Sequence, residues 1–296
     1  MSVLVTRRYG PAVIVLLCRV VAFSQEPSQT SNPGTSAVST LLISARAKDG
    51  SVADLAAADL EIKQGGKPVQ IQQVRKLERW PLRYGVLFDS SNSERDRFNV
   101  QQDIAVRFLQ QVVRPGTDHG WLGLFSNEYA ESNETDNPVN ITDDIRRTKP
   151  AGGTALYDAV AMCARRMAGS PSGPPLRVMF VFSDGGDNSS RIGLVGVMDA
   201  ALLARARIYA IDSDNGHDSK GASILKKMAE TTGGRFFSPA RAKDADKIAA
   251  EVNSDSQNLF EVTYMPEVSK PDNRSASIDV KCTRQGVTLI APKRIY

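Results

Sequence analysis

Histidine, cysteine and aromatic residues are scarce in this chain of 296 residues. It has two histidines, three cysteines and an aromatic fraction of 6%. His119 and His217 alone argue against a histidine-ligated zinc site, and no two cysteines have the CxxC spacing of cysteine-ligated metal sites. The few aromatic residues argue against an aromatic-lined groove for sugars or nucleic acids. With histidine and cysteine ligands excluded, any metal site of this chain is expected to use oxygen ligands.

Long apolar runs are also missing. The apolar stretch 12–18 is too short to span a membrane, and two arginines precede it. Ala22 and Ser24 then provide small residues at the positions that a signal peptidase reads. We predict that residues 1–24 are a signal peptide and that the chain is exported to the periplasm or the extracellular space. No stable membrane span is expected after its removal. The alternative is an N-terminus that is unprocessed or tethered to a membrane.

The net charge gives no sign of nucleic-acid binding. The formal charge is +4, but residues 1–24 contain three arginines and no acid, so the chain without them carries +1. No basic stripe is left for a phosphate backbone. We therefore predict no nucleic-acid partner.

Two cysteines would stay after removal of the signal peptide, Cys163 and Cys282. In an exported protein they could form a disulfide. Cys163 falls in a predicted helix, however, where an unpaired cysteine packs as a small apolar residue. The sequence leaves both interpretations open.

The hydrophobic pattern divides the rest of the chain into four segments. Residues 25–40 are rich in Pro, Gly and Ser and are typical of a linker. Residues 41–79 alternate as β-strands do and contain a predicted hairpin turn, "QGGKP". Strands and helices alternate over 80–258, and 259–296 return to antiparallel β as a predicted hairpin segment. We expect 41–79 and 259–296 to pair with each other.

The alternation over 80–258 predicts an α/β fold with a doubly wound, mostly parallel sheet flanked by helices. The strands that end near Phe88 and Phe182 are apolar almost throughout, as expected when helices cover both faces of a parallel sheet. The polar stretch 127–149 is expected to hold an edge strand at most. Ligands bind such sheets at the carboxyl ends of the strands, near the point where strand order reverses.

Three polar stretches are predicted to meet at that edge. Residues 89–93 follow the first strand, 152–154 open a helix, and 183–185 follow a later strand. Together they offer two carboxylates, several hydroxyls and mobile glycines. Such an oxygen-only set suits a hard divalent cation such as Mg²⁺.

The order and placement of five residues in these stretches resemble the metal-ion-dependent adhesion site (MIDAS) of von Willebrand factor type A domains: Asp89, Ser91, Ser93, Thr154 and Asp184. DxSxS alone is a weak pattern, but the ordered set with "GGTALYDA" and "FSDGGDN" is more specific. Over 41–296 the chain is similar to exported bacterial proteins of the VWFA-related type, in which a β segment precedes the A domain and a hairpin follows it. The resemblance implies a von Willebrand A-like domain over 80–258.

The resemblance also implies a role for each residue. Ser91 and Ser93 would give hydroxyl oxygens directly to the metal, and Thr154 would be a direct ligand in the ligand-competent state. Asp89 and Asp184 would hold metal-bound waters, with one of them able to bind directly. The implied cation is Mg²⁺, with Mn²⁺ or Ca²⁺ as alternatives. Its open position would accept a carboxylate of a partner protein, which makes the chain a binding module without catalytic residues.

Other interpretations of the same residues stay open. Asp89 and the serines could cap the next helix, and the other two stretches could be plain turns. A Mg²⁺-dependent phosphohydrolase could use Asp89 as nucleophile, although such enzymes commonly have a second aspartate where this chain has Ser91, and no GxSxG or P-loop pattern is present. A scaffold that the metal only stabilises is a third possibility.

Overall fold

The computed structural model describes residues 38–48, 54–168, 173–215, 217–239, 241–266 and 275–296. The predicted signal peptide and most of the predicted linker lie outside these ranges. No helix of the described residues is long and apolar enough to cross a membrane. The strands are β1 (Ser39–Ala47), β2 (Leu60–Gln64), β3 (Lys67–Pro68), β4 (Gln70–Lys76), β5 (Leu82–Asp89), β6 (His119–Phe125), β7 (Tyr129–Glu131), β8 (Leu176–Ser183), β9 (Arg207–Asp212), β10 (Phe236–Phe237), β11 (Leu259–Met265), β12 (Ala276–Cys282), β13 (Val287–Ile290) and β14 (Arg294–Ile295). The helices are α1 (Phe98–Val112), α2 (Pro138–Arg147), α3 (Leu156–Met167), α4 (Leu194–Leu203), α5 (Ser219–Thr232) and α6 (Asp244–Gln257).

A six-stranded sheet with the order β10-β9-β8-β5-β6-β7 forms the centre of the fold. All neighbours are parallel except β7, which pairs antiparallel with β6 at the edge. The chain builds outward from β5 to β7 and then returns to place β8 on the other side of β5. This is the doubly wound arrangement, and it confirms the predicted α/β fold. The carboxyl ends of β5 and β8 flank the point where strand order reverses.

Both faces of this sheet are covered, which explains the apolar strands. β8 is buried along its whole length, and β5 is buried except at Arg83. On one face Phe88, Phe180 and Phe182 pack with apolar residues of α1 and α6. On the other face, Leu87 and Val181 pack with α3, α4 and α5. Because a fully buried Phe or Leu contributes about 1.5–3 kcal/mol, the two strands form a rigid support for the loops at their carboxyl ends.

The structure has one helix that the sequence pattern did not predict. The polar stretch 127–149 contains the expected edge strand, β7, but also α2. The side chain of Asn137 accepts a hydrogen bond from the backbone N–H of Val139 (3.1 Å), and Pro138 occupies the first turn. Only a few apolar residues of α2, such as Ile141 and Ile145, are buried. The buried positions of α2 have helical spacing, but the helix is polar as a whole, so the stretch resembles a loop in the sequence.

The strands before and after the central sheet form a β module of two four-stranded sheets, β13-β1-β11-β4 and β14-β12-β2-β3. β1 and β4 pair antiparallel with β11, and β2 pairs antiparallel with β12. The two sheets share one apolar core, which includes Ile43, Ile62, Phe260 and Val262. The predicted pairing of the flanking segments is confirmed. β1 begins at Ser39, inside the segment predicted as linker.

Both cysteines of the described residues are free. Cys163 is buried on α3 among the apolar residues between that helix and the sheet. Cys282 ends β12 in the β module and is partly exposed. The interpretation of Cys163 as an apolar packing residue is thus the one that the structure supports.

Cys163 leads to a stability prediction because its sulfur faces Gly85 on β5. A Cβ added at Gly85 would overlap the Cys163 Sγ. Gly85→Ala should therefore lower the free energy of unfolding by about 1–3 kcal/mol through overpacking. Cys163→Ala removes the clashing sulfur, so the double variant should be more stable than the sum of the two single effects predicts. Urea denaturation of the four proteins measures this, and strictly additive effects would refute the proposed contact.

Candidate metal centre

Asp89 is the last residue of β5 and is completely buried. Its Oδ1 accepts a hydrogen bond from the backbone N–H of Ser91 (2.9 Å). Its Oδ2 accepts one from the hydroxyl of Ser183 (2.7 Å), the last residue of β8. Both carboxylate oxygens are thus held at the point where strand order reverses. Asp89 does not cap α1, which starts at Phe98 without a side-chain cap.

The alternate residues of the loop after Asp89 make contacts in two directions. The hydroxyls of Ser91 and Ser93 lie 2.9 Å apart, and Ser91 is fully buried. The hydroxyl of Ser90 instead donates to the carbonyl of Phe125 on β6 (3.0 Å). The side chain of Asn92 accepts from Arg95. The two serines of the DxSxS pattern therefore form a hydroxyl pair next to Asp89.

The loop that carries Thr154 lies directly against the DxSxS loop. The backbone N–H of Ala151 donates to the carbonyl of Ser90 (2.7 Å), and that of Asn92 donates to the carbonyl of Gly152 (3.0 Å). Gly152 has a φ of 81°, a left-handed conformation that favours glycine. Two backbone hydrogen bonds thus bring the second predicted stretch to the first. Thr154 itself is 3% exposed.

Side chains from two other loops hold the threonine loop in place. The side-chain oxygen of Asn188 accepts from the backbone N–H of Thr154 (2.9 Å), and that of Asn127 accepts from Gly153 (2.5 Å). A Cβ at Gly153 would lie 2.6 Å from the Asn127 oxygen and 2.7 Å from the Asn188 oxygen, so a larger residue there would displace both side chains. Both asparagines position the loop.

Asp184 follows β8 and completes the set of five predicted residues. Its Oδ1 accepts from the backbone N–H of Gly186 (2.7 Å). Its own backbone N–H donates to Oε1 of Glu94 (2.9 Å). The first and third predicted stretches therefore meet through Asp89 and Ser183. Glu94, the residue after the first stretch, adds a second contact to the third through the backbone of Asp184.

Glu94 is the site residue that the sequence analysis missed. It is 2% exposed, and its Oε1 also accepts from the hydroxyl of Ser213 after β9 (2.5 Å). One carboxylate oxygen from each of Asp89, Glu94 and Asp184 lies within 4.8 Å of the others. Its only signal in the sequence is its position immediately after the DxSxS pattern. The charged residues that follow it make it resemble an exposed glutamate.

The electrostatics of this carboxylate cluster fit a cation. Burial raises the pKa of Asp89 to about 6, the charge of Asp184 adds to the rise, and hydrogen bonds from Ser91 and Ser183 oppose it. Burial raises the pKa of Glu94 to about 8, and the charges of Asp89 and Asp184 add to the rise. In the described part of the chain the charges that act on both groups are negative. The buried oxygens therefore lack a positive partner, which a divalent ion would supply.

The fold is similar to that of several solved structures. A fragment of the type V pili tip protein Mfa5 from Porphyromonas gingivalis is 13% identical, with a TM-score of 0.50 over 73% of this chain and 55% of that chain. A von Willebrand factor type A protein from Catenulispora acidiphila is 13% identical, with a TM-score of 0.48 over 80% and 72%. Proximal thread matrix protein 1 from the mussel byssus, with a zinc-occupied MIDAS motif, is 13% identical, with a TM-score of 0.47 over 66% and 50%.

No family model matches the sequence, and no curated protein matches it. At 13% identity these likenesses concern the fold alone. The chain has a von Willebrand factor type A fold. We call the part from β5 to α6 the A domain; its carboxylate cluster lies at the carboxyl edge of the sheet.

A substitution of Glu94 tests whether the three carboxylates act as one cluster. Glu94→Gln keeps an oxygen that can accept from Asp184 and Ser213 but removes one of three crowded carboxylates. In EDTA the variant should be more stable than the unchanged protein by on the order of 2 kcal/mol. Its affinity for Mg²⁺ should fall about 10–100-fold, as when other groups that support metal ligands are changed.

Chemical denaturation in EDTA and titration calorimetry with Mg²⁺ measure the two effects. Glu78→Gln, an exposed glutamate outside the cluster, is the control. A less stable Glu94→Gln protein with unchanged Mg²⁺ affinity would show that the three carboxylates do not act as one cluster.

Proposed function

We propose that this protein is a divalent-metal-dependent protein-binding module. A Mg²⁺ ion, with Mn²⁺ or Ca²⁺ as alternatives, is held by the residues of the three loops: Asp89, Ser91, Ser93, Thr154 and Asp184. The ion supplies a positive charge to which a carboxylate of a partner protein binds. The sequence of residues 1–24 adds the proposal that the module works outside the cytoplasm, in the periplasm or the extracellular space.

One observation carries this proposal. Two buried carboxylates, of Asp89 and Glu94, and the half-buried carboxylate of Asp184 lie within 4.8 Å of one another at the carboxyl edge of the sheet. They lie beside a pair of serine hydroxyls and have no positive partner among the described residues. Hard oxygens in this number are what Mg²⁺ and Ca²⁺ prefer. Buried negative charge without a cation would otherwise only destabilise the A domain.

Glu94 fits the proposal as a positioning residue. Its Oε1 is occupied by hydrogen bonds from the backbone of Asp184 and the hydroxyl of Ser213. It therefore orients Asp184 toward the cluster, while its charge adds to the attraction for the cation. Because neutral hydroxyls coordinate the ion directly, the ion stays electron-poor. This favours the binding of a carboxylate of a partner protein to the ion.

The phosphohydrolase alternative finds no support in the described residues. Asp89 would have to be the nucleophile, yet it is completely buried. Both of its carboxylate oxygens already accept hydrogen bonds, from Ser91 and Ser183. A nucleophilic carboxylate has to reach the substrate, and these contacts hold Asp89 inside the protein.

The metal ligands can be tested with two adjacent serines. Ser91→Ala removes a hydroxyl that is proposed to bind the ion directly, whereas Ser90→Ala removes one that donates to the carbonyl of Phe125. We expect Asp89→Ala and Ser91→Ala to weaken Mg²⁺ binding at least about tenfold, and Ser90→Ala to leave it unchanged. Titration calorimetry measures the affinities. Unchanged affinity in Asp89→Ala and Ser91→Ala would show that the assignment of the site is wrong.

The binding function needs a partner experiment. Proteins of the source's extracytoplasmic fraction should be retained by the immobilised protein in Mg²⁺ and released by EDTA. The Asp89→Ala protein should retain none of them, whereas Asp143→Ala, an exposed aspartate on α2, should behave like the unchanged protein. A large increase of the melting temperature with Mg²⁺, without any metal-dependent partner, would favour the scaffold interpretation instead.

A further inference from the structure

The loop between β8 and α4, residues 184–193, holds both backbone groups of Thr154. The backbone N–H of Thr154 donates to the side-chain oxygen of Asn188 (2.9 Å). Its carbonyl accepts from the backbone N–H groups of Asn188 (2.9 Å) and Ser189 (3.0 Å). The same loop begins with Asp184, another of the proposed metal ligands. One loop therefore carries one proposed ligand and holds the backbone of a second.

This loop also caps the helix that follows Thr154. Helix α3 begins two residues after Thr154, and its N-cap residue, Ala155, has no side chain that accepts a hydrogen bond. The first backbone N–H groups of a helix have no partner within the helix itself. In α3 one of them, from Tyr157, donates to Oδ2 of Asp187 (2.9 Å). The cap of α3 is therefore a carboxylate that lies 30 residues further along the chain, and its charge interacts favourably with the positive end of the helix dipole.

Further hydrogen bonds connect the β8–α4 loop and the start of α3 in both directions. The hydroxyl of Ser190 donates to Oδ2 of Asp187 (2.6 Å) and accepts from the backbone N–H of Asp158 (3.0 Å). The carboxylate of Asp158 accepts in turn from the backbone N–H groups of Arg191 (3.1 Å) and Ile192 (3.3 Å), just before α4. The start of α3 and the β8–α4 loop thus hold each other in place.

We propose that Asp187 is a positioning residue of the candidate metal centre. By capping α3 it fixes the start of that helix, and with it the hydroxyl of Thr154, relative to Asp184. This inference rests on the proposed function, since it concerns how the three loops hold the ion. Asp187 is half-buried and is not one of the three carboxylates of the cluster. It therefore acts on the ion through Thr154 and not as a ligand.

The position of Thr154 matters more for some cations than for others. Mg²⁺ requires nearly ideal octahedral geometry with oxygen distances of about 2.0–2.1 Å, whereas Ca²⁺ accepts flexible geometries at about 2.3–2.6 Å. A loosened Thr154 loop should therefore weaken the binding of Mg²⁺ more than the binding of Ca²⁺. The ratio of the two affinities reports on the position of the threonine.

Titration calorimetry of Mg²⁺ and of Ca²⁺ with three variants tests the proposal. Asp187→Ala removes the cap and should weaken Mg²⁺ binding at least about tenfold, but Ca²⁺ binding less than about threefold. Asp187→Asn keeps an oxygen that can accept from Tyr157, because asparagine caps helices as well as aspartate does, and should retain both affinities within about threefold. Asn137→Ala, the matched control, removes the side-chain cap of α2 and should leave both affinities unchanged.

The cap itself can be measured without a metal. In EDTA the amide hydrogen of Tyr157 should exchange with solvent at least about tenfold faster in Asp187→Ala than in the unchanged protein, because the carboxylate that holds it is gone. Asn137→Ala should not change this rate. An unchanged exchange rate in Asp187→Ala would refute the cap.

The affinities separate the other outcomes. Equal losses of Mg²⁺ and Ca²⁺ affinity in Asp187→Ala would show a general structural role and overturn the proposal, as would two unchanged affinities. An Asp187→Asn protein that binds Mg²⁺ as weakly as Asp187→Ala would show that the charge of Asp187 acts on the ion, and not the cap. If the unchanged protein binds neither ion, the proposed function itself is wrong, and this inference fails with it.

Discussion

The hydrogen bond from the hydroxyl of Ser183 to the carboxylate of Asp89 is the contact on which the candidate metal centre depends. It joins the last residues of β5 and β8, the two strands that become neighbours only because the strand order reverses between them. Without it, one oxygen of a completely buried carboxylate would have no partner. This contact therefore holds the loops after the two strands together without the help of a ligand.

Around that contact the A domain places carboxylates in buried positions, where their negative charge lowers the stability of the fold. Glu94 connects the loops after β8 and β9, since it accepts from both Asp184 and Ser213. Folding must bury its carboxylate beside two others, and the helices on both faces of the sheet contribute the apolar packing that offsets this cost. In the proposed function, this loss of stability is what gives the site its affinity for a cation.

Much of the fold and of the candidate site could be predicted because strand ends are marked in the sequence. Asp89 and Asp184 each come at or directly after a run of buried residues, and parallel strands place such residues at one edge. Glu94 could not be predicted, since its burial depends on Ser213, which lies 119 residues further along the chain. The helix α2 was missed because it is polar as a whole, although its few buried residues have helical spacing.

The β module has a consequence for how the chain folds. The hydroxyl of Ser44 on β1 donates to the carbonyl of Asp255 (2.8 Å), 211 residues later, and β1 then pairs with β11 beyond it. During synthesis β1, β2 and β4 emerge before the A domain, but β11 and β12 emerge after it. In chain order the A domain is thus inserted between the two halves of the β module. Its completed sheet then brings the two halves of the β module together, which shortens the loop that their pairing has to close.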